Sequence, residues 1–143
     1  MVKKEIEKND FKNLLKNVGL KCTPIRLDII EIFFKNNKPI NADFIFSKLK
    51  GNTDEATVYR SLSSFEKCGI LKKVDLRMNS IYFELNNVQH HHHIVCTKCG
   101  DIEDFKESEI IERFLLKVVK DSQNFKNITD HSLELFGTCR ACI

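Results

Sequence analysis

Cys96-x-x-Cys99 and Cys139-x-x-Cys142 are the residues of this chain best suited to chemistry. Four thiolates in two pairs can enclose one zinc ion tetrahedrally, as closed structural sites do. A single pair also suits thioredoxin-like redox work, but that reading gains nothing from a second pair. His90, His91, His92 and His93 run almost directly into the first pair, and His131 is the only other histidine. On an extended strand, successive side chains point to opposite faces. His90 and His92 then share one face and His91 and His93 the other, so one strand can feed two metal sites. A merely polar surface strand is the plainer alternative. Glu84 and Asp104 flank this strand in sequence, and either can add a hard oxygen ligand. Cys22 and Cys68 lie beside apolar residues and read as small packed side chains.

The elements that must position these groups fall into two sets. Phe11, Leu14, Leu15 and Val18 recur at helical spacing, with Gly19 as a stop. Thr23 is a candidate N-cap before Pro24, and Ile29, Ile30, Phe33 and Phe34 form the buried face of a second helix. Asn41 caps a third, with Ile45 and Leu49 inward and Gly51 closing it. A fourth carries Asp54 and Glu55 near its start, where negative charge suits the helix dipole, and points Val58, Leu62 and Phe65 inward. "GILKKVDL" and "SIYFEL" then read as a hairpin, and helices followed by a hairpin describe a winged helix-turn-helix. "NNVQ", residues 86–89, reads as a polar hinge. Beyond it, strands flank the first Cys pair. "ESEIIERFLLKVVKD" is a helix with Ile110, Ile111, Phe114, Leu115 and Val118 on its apolar side, and "HSLELFGTC" is a strand into the second pair.

The fold class expected is therefore α+β: a winged-helix domain over 1–85, a hinge over 86–89, and an α/β metal-binding domain over 90–143. Charge divides the same way. Residues 1–85 hold 16 Lys/Arg against 11 Asp/Glu, whereas residues 86–143 hold 7 against 9. A basic first part suits a polyanionic partner. No apolar run approaches a membrane span, and the first residues lack the apolar core of a signal peptide. A cytoplasmic location is expected, and thiols that stay reduced there favour metal binding.

Taken together, "GLKCTPIR", "ATVYRSLSSFEKCGIL", "YFELNNVQHHHHIVCTKCG", "DIEDF" and "HSLELFGTCRAC" resemble the Fur family of metal-dependent bacterial regulators in the right order and over nearly the whole chain. The resemblance implies a homodimer that represses genes of metal homeostasis or oxidative stress from an AT-rich inverted repeat. It implies structural Zn2+ on Cys96, Cys99, Cys139 and Cys142. A regulatory divalent ion falls to Glu84, His91, His93 and Asp104, with Fe2+ first and Mn2+ or Zn2+ as alternatives. A further site falls to His90, His92 and His131 with an acid, Glu112 or else Glu109. Among DNA-reading residues it implies Lys21, Thr57, Tyr59 and Arg60. A ferric-uptake-regulator-like role is expected, with a peroxide sensor or zinc-uptake regulator as the alternatives.

Three positions depart from the family pattern. No histidine precedes residue 90, where members usually have one before the third helix; Lys38 or Pro39 takes that place. His92 stands where the further site usually has an acid. Asp104 replaces the glutamate common in iron-sensing members and resembles the peroxide sensors.

A zinc enzyme or a metal buffer is the competitor from another class. The chain has neither a His-Glu-x-x-His helix motif nor a His-x-Glu…Pro-Cys-x-x-Cys pattern. An all-cysteine zinc site also leaves no open position for water. A buffer has no need of a winged helix. No enzymatic role, small-molecule substrate or membrane partner is expected.

Overall fold

The computed structural model describes residues 8–86, 90–106 and 108–143. Of the expected hinge, residues 87–89 lie outside the described residues. The chain divides into two units, Met1–Asn87 and Val88–Ile143.

In the first unit, α1 (Lys8–Asn17), α2 (Pro24–Lys35), α3 (Ala42–Leu49) and α4 (Glu55–Lys67) precede the hairpin of β2 (Leu71–Val74) and β3 (Tyr82–Leu85). A two-residue strand, β1 (Ile40–Asn41), pairs antiparallel with β3 and completes a sheet of order β1-β3-β2. The caps are local. Thr23 accepts from the Arg26 N–H at 3.4 Å, and Asn41 from Phe44 at 2.9 Å. Asp54 accepts from Thr57 at 2.7 Å. Each satisfies a helix N–H that has no partner within its own helix. The third helix ends on Lys50 in the left-handed region, with Gly51 following at φ 77°. All fifteen residues of the buried apolar cluster belong to this unit, from Phe11 to Phe83. Leu15, Ile29, Ile45 and Phe65 are wholly enclosed.

The second unit is a sheet of order β5-β4-β6. β4 (His91–Cys96) runs antiparallel to β5 (Ile102–Lys106) and parallel to β6 (Glu134–Gly137), with α5 (Glu109–Asp121) in the crossover. A single 3-10 turn, Arg140–Cys142, follows β6. No residue of α5 is buried. Of the stripe read in the sequence, Ile110, Phe114 and Val118 are 78%, 63% and 44% exposed within one chain, while Ile111 and Leu115 are half-buried.

Candidate metal centres and nucleic-acid interface

The two Cys pairs meet because β4 and β6 are parallel neighbours, with Cys96 registered against Gly137. Each pair then sits in the turn leaving its strand. In the first turn Gly100, at φ 75°, adopts a backbone conformation that side-chain-bearing residues rarely reach. It donates to the Cys96 carbonyl at 2.9 Å, and Cys96 donates to Asp101 at 2.8 Å. Thr97 ties the turns together, donating through its N–H at 2.8 Å and its hydroxyl at 3.1 Å to the Gly137 carbonyl.

The four sulfurs of Cys96, Cys99, Cys139 and Cys142 lie within 4.8 Å of one another. Cys99 and Cys139 are 3.7 Å apart. Tetrahedral zinc with Zn–S bonds of about 2.3 Å sets its sulfurs roughly 3.8 Å apart, so the donors fit that ion. The N–H of Cys139, 3.3 Å from the Cys96 sulfur, and further backbone donors draw the Cys96 thiol down to about 6. Hydrogen bonding with Cys139 and Cys99 pushes the Cys142 thiol up to about 12. Without a cation these hydrogen bonds therefore favour the thiolate at Cys96 and the thiol at Cys142. A divalent ion reverses that by stabilising every thiolate it binds.

On β4 the histidines split by face. His90, His92 and His131 bring ring nitrogens within 4.8 Å of one another, and the Nε2 atoms of His90 and His131 are 3.0 Å apart. His92 is buried, its ring 5.4 Å from that of Phe105. Glu112 lines the cavity of about 680 Å³ that His90 and His131 also line, but it is not grouped with the three ring nitrogens. Glu109 instead faces Arg113 at 3.5 Å. On the opposite face the His91 and His93 rings are 4.9 Å apart. Asp104, the registered partner of His93, sets Oδ1 3.7 Å from its Nε2. Glu84 lies on β3 of the first unit, buried, with Lys72 across the hairpin at 3.0 Å.

The helix expected to meet DNA presents its polar side outward. Tyr59 is 54% exposed, Arg60 is exposed and Thr57 is half-buried, while Val58, Leu62 and Phe65 anchor the opposite face. Lys21 is exposed, and its carbonyl accepts from Arg26 at 3.1 Å.

Known proteins match this arrangement. The model of the ferric uptake regulator family matches residues 17–136. The chain belongs to that family. A ferric uptake regulation protein of Bordetella parapertussis is 39% identical over 132 residues, covering 90% of this chain and 93% of its own. Among solved structures, the ferric uptake regulator of Francisella tularensis with iron superposes with a TM-score of 0.77 at 38% identity, covering 87% of this chain and 95% of that one. The Vibrio cholerae regulator reaches 0.79 at 33% identity, covering 90% and 98%.

Within this family member, the roles of three groups around the site were missed in the sequence. Lys72 reaches Glu84 through the β2–β3 register, which no local pattern announces. Phe105 reaches His92 in the same non-local way, as its registered partner. The third, Asp54, had a signal: it stands three residues before Thr57, the spacing at which a capping side chain meets a free N–H.

Proposed function

We propose that this protein is a metal-responsive DNA-binding repressor that acts as a homodimer. The observation that carries the reading is the division of labour within one chain. One unit presents an exposed helix face bearing Tyr59 and Arg60 over an apolar core, and the other is built around metal-ligand side chains. Zinc on the four cysteines serves structure. His91, His93 and Asp104, with Glu84 as a further ligand, serve sensing. His90, His92 and His131, with Glu112, form the additional site. Imidazole and carboxylate donors suit Fe2+, with Mn2+ and Zn2+ as the other ions of that chemistry.

Family membership supports a regulator rather than an enzyme. Ile110, Phe114 and Val118, exposed on one face of α5, supply the apolar surface that a second copy would cover. Two-fold symmetry then implies an inverted-repeat operator. Lys21, Thr57, Tyr59 and Arg60 are the proposed DNA-reading residues. Arg60 can pair bidentately with guanine, and Tyr59 can pack on a thymine methyl. No helix among the described residues is long and apolar enough to cross a membrane. A cytoplasmic location is proposed from the DNA-binding role.

The test is operator affinity, on DNA selected from a random pool, against titrations of Fe2+, Mn2+ and Zn2+ on protein retaining one zinc per chain. The sensed ion should tighten binding about 5–150-fold, the usual range for allosteric coupling. An affinity indifferent to all three ions would remove metal response from the reading.

A further inference from the structure

Three hydrogen bonds at the start of α4 form a directed chain. Asp54 Oδ1 accepts the Thr57 N–H at 2.7 Å, and Asp54 Oδ2 accepts from the Thr57 hydroxyl at 2.9 Å. Arg60 Nη2 donates to that hydroxyl oxygen at 3.2 Å. A hydroxyl has one proton and two lone pairs. With its proton given to Asp54, the Thr57 oxygen presents only lone pairs, and it accepts from the guanidinium. Thr57 and Arg60 are three residues apart, so they stand on one helix face. The carboxyl of Asp54 is held below its ordinary range, first by the Thr57 N–H, then by the Thr57 hydroxyl, and by the charge of Arg60. It is therefore an anion at neutral pH.

A carboxylate is an ordinary cap for a helix, but on a DNA-reading helix it has a second effect, since a helix N-terminus also attracts phosphate. Here Asp54 fills that end itself. It occupies the Thr57 N–H and adds repulsion toward any backbone phosphate that approaches. Arg60, exposed, is steadied through one Nη2 hydrogen and keeps its other donors for a base edge.

We propose that Asp54 and Thr57 are positioning residues for sequence discrimination: they aim Arg60 at a base while denying the helix tip to phosphate. The inference rests on the reading of Arg60 as a base contact. Its effect is on the ratio of operator to random-DNA affinity, because phosphate contacts carry no sequence information and base contacts do.

The test compares four variants of the full-length, zinc- and metal-loaded protein on the selected operator and on a random duplex. Arg60→Ala should lower the affinity ratio by about 10-fold or more, the size of a lost bidentate base contact. Thr57→Val keeps the β-branched shape and removes the hydroxyl; it should lower the ratio roughly 5-fold, and Thr57→Ser should restore it, as the lower end of such contacts implies. Asp54→Ser keeps a good cap and removes the charge. It should tighten random-DNA binding about 3-fold, in line with loss of one phosphate-repelling charge. If Arg60→Ala weakens both duplexes equally, the base-contact reading and the proposal fall together. If Arg60→Ala lowers the ratio but Thr57→Val and Asp54→Ser leave it at the wild-type value, the proposal alone falls. Failure of Thr57→Ser to recover the ratio also overturns it, since a general helix defect then accounts for the Thr57→Val loss.

Discussion

The two units of this chain solve the same stability problem with different materials. The first encloses aliphatic and aromatic side chains from four helices and a small sheet. In the second, the buried described residues are Val95, Ile102, Cys96, His92 and His93. Three of those five are proposed metal ligands. Burying apolar area contributes roughly 25 cal/mol per Å² whether or not an ion is bound. Thiolates and imidazoles contribute only when an ion compensates for their desolvation. A unit built the first way is a scaffold, whereas one built the second way reports on its surroundings.

The sharpest way to break that contrast is to strip the zinc. Chelation at acid pH, or Cys96→Ser, should unfold β4, β5 and β6 while the first unit keeps its amide signals in NMR spectra. Structural zinc is worth about 10–16 kcal/mol in small domains, far beyond what two buried aliphatic residues replace. Persistence of the second sheet without metal would put its stability elsewhere.

A matched pair of truncations gives the next effect in size. Phe65→Ala, at a fully enclosed position, should cost about 3–5 kcal/mol of denaturant stability in the first unit. Phe114→Ala, 63% exposed, should change single-chain stability little and instead weaken self-association in sedimentation equilibrium. Equal stability losses would mean that α5 packs as a core helix within one chain.

The smallest effect tests how local the first unit is. Asn41→Ala removes the bond to the Phe44 N–H and should cost about 1 kcal/mol, read as a shift of the first unit's unfolding midpoint alone.

The features legible in the sequence were those set by near neighbours. Thr23 and Asn41 cap the helices expected of them, because a cap depends on a bond spanning three residues. The odd and even histidines separate as the two-residue period of a strand dictates. Asp54 was read as a charge suited to the helix dipole, when its bonds to Thr57 make it the cap itself. Features set by distant pairing stayed hidden. β1 is two residues long and exists through its register with β3. β6 was legible as a strand, but its parallel pairing with β4, which unites the Cys pairs, depends on how the chain crosses over. The exposure of α5 was hidden for another reason: periodicity marks an apolar face without saying which molecule covers it.

That parallel pairing also sets a timetable. Cys99 and Cys139 are separated by 40 residues, so a ribosome adding about 5–20 residues per second makes the first pair roughly 2–8 s before the second begins. The winged-helix unit can close while those residues are still unmade. The zinc clamp cannot, and neither can the sheet it fastens. A newborn chain therefore passes through an interval in which α4 is complete and the zinc clamp is not.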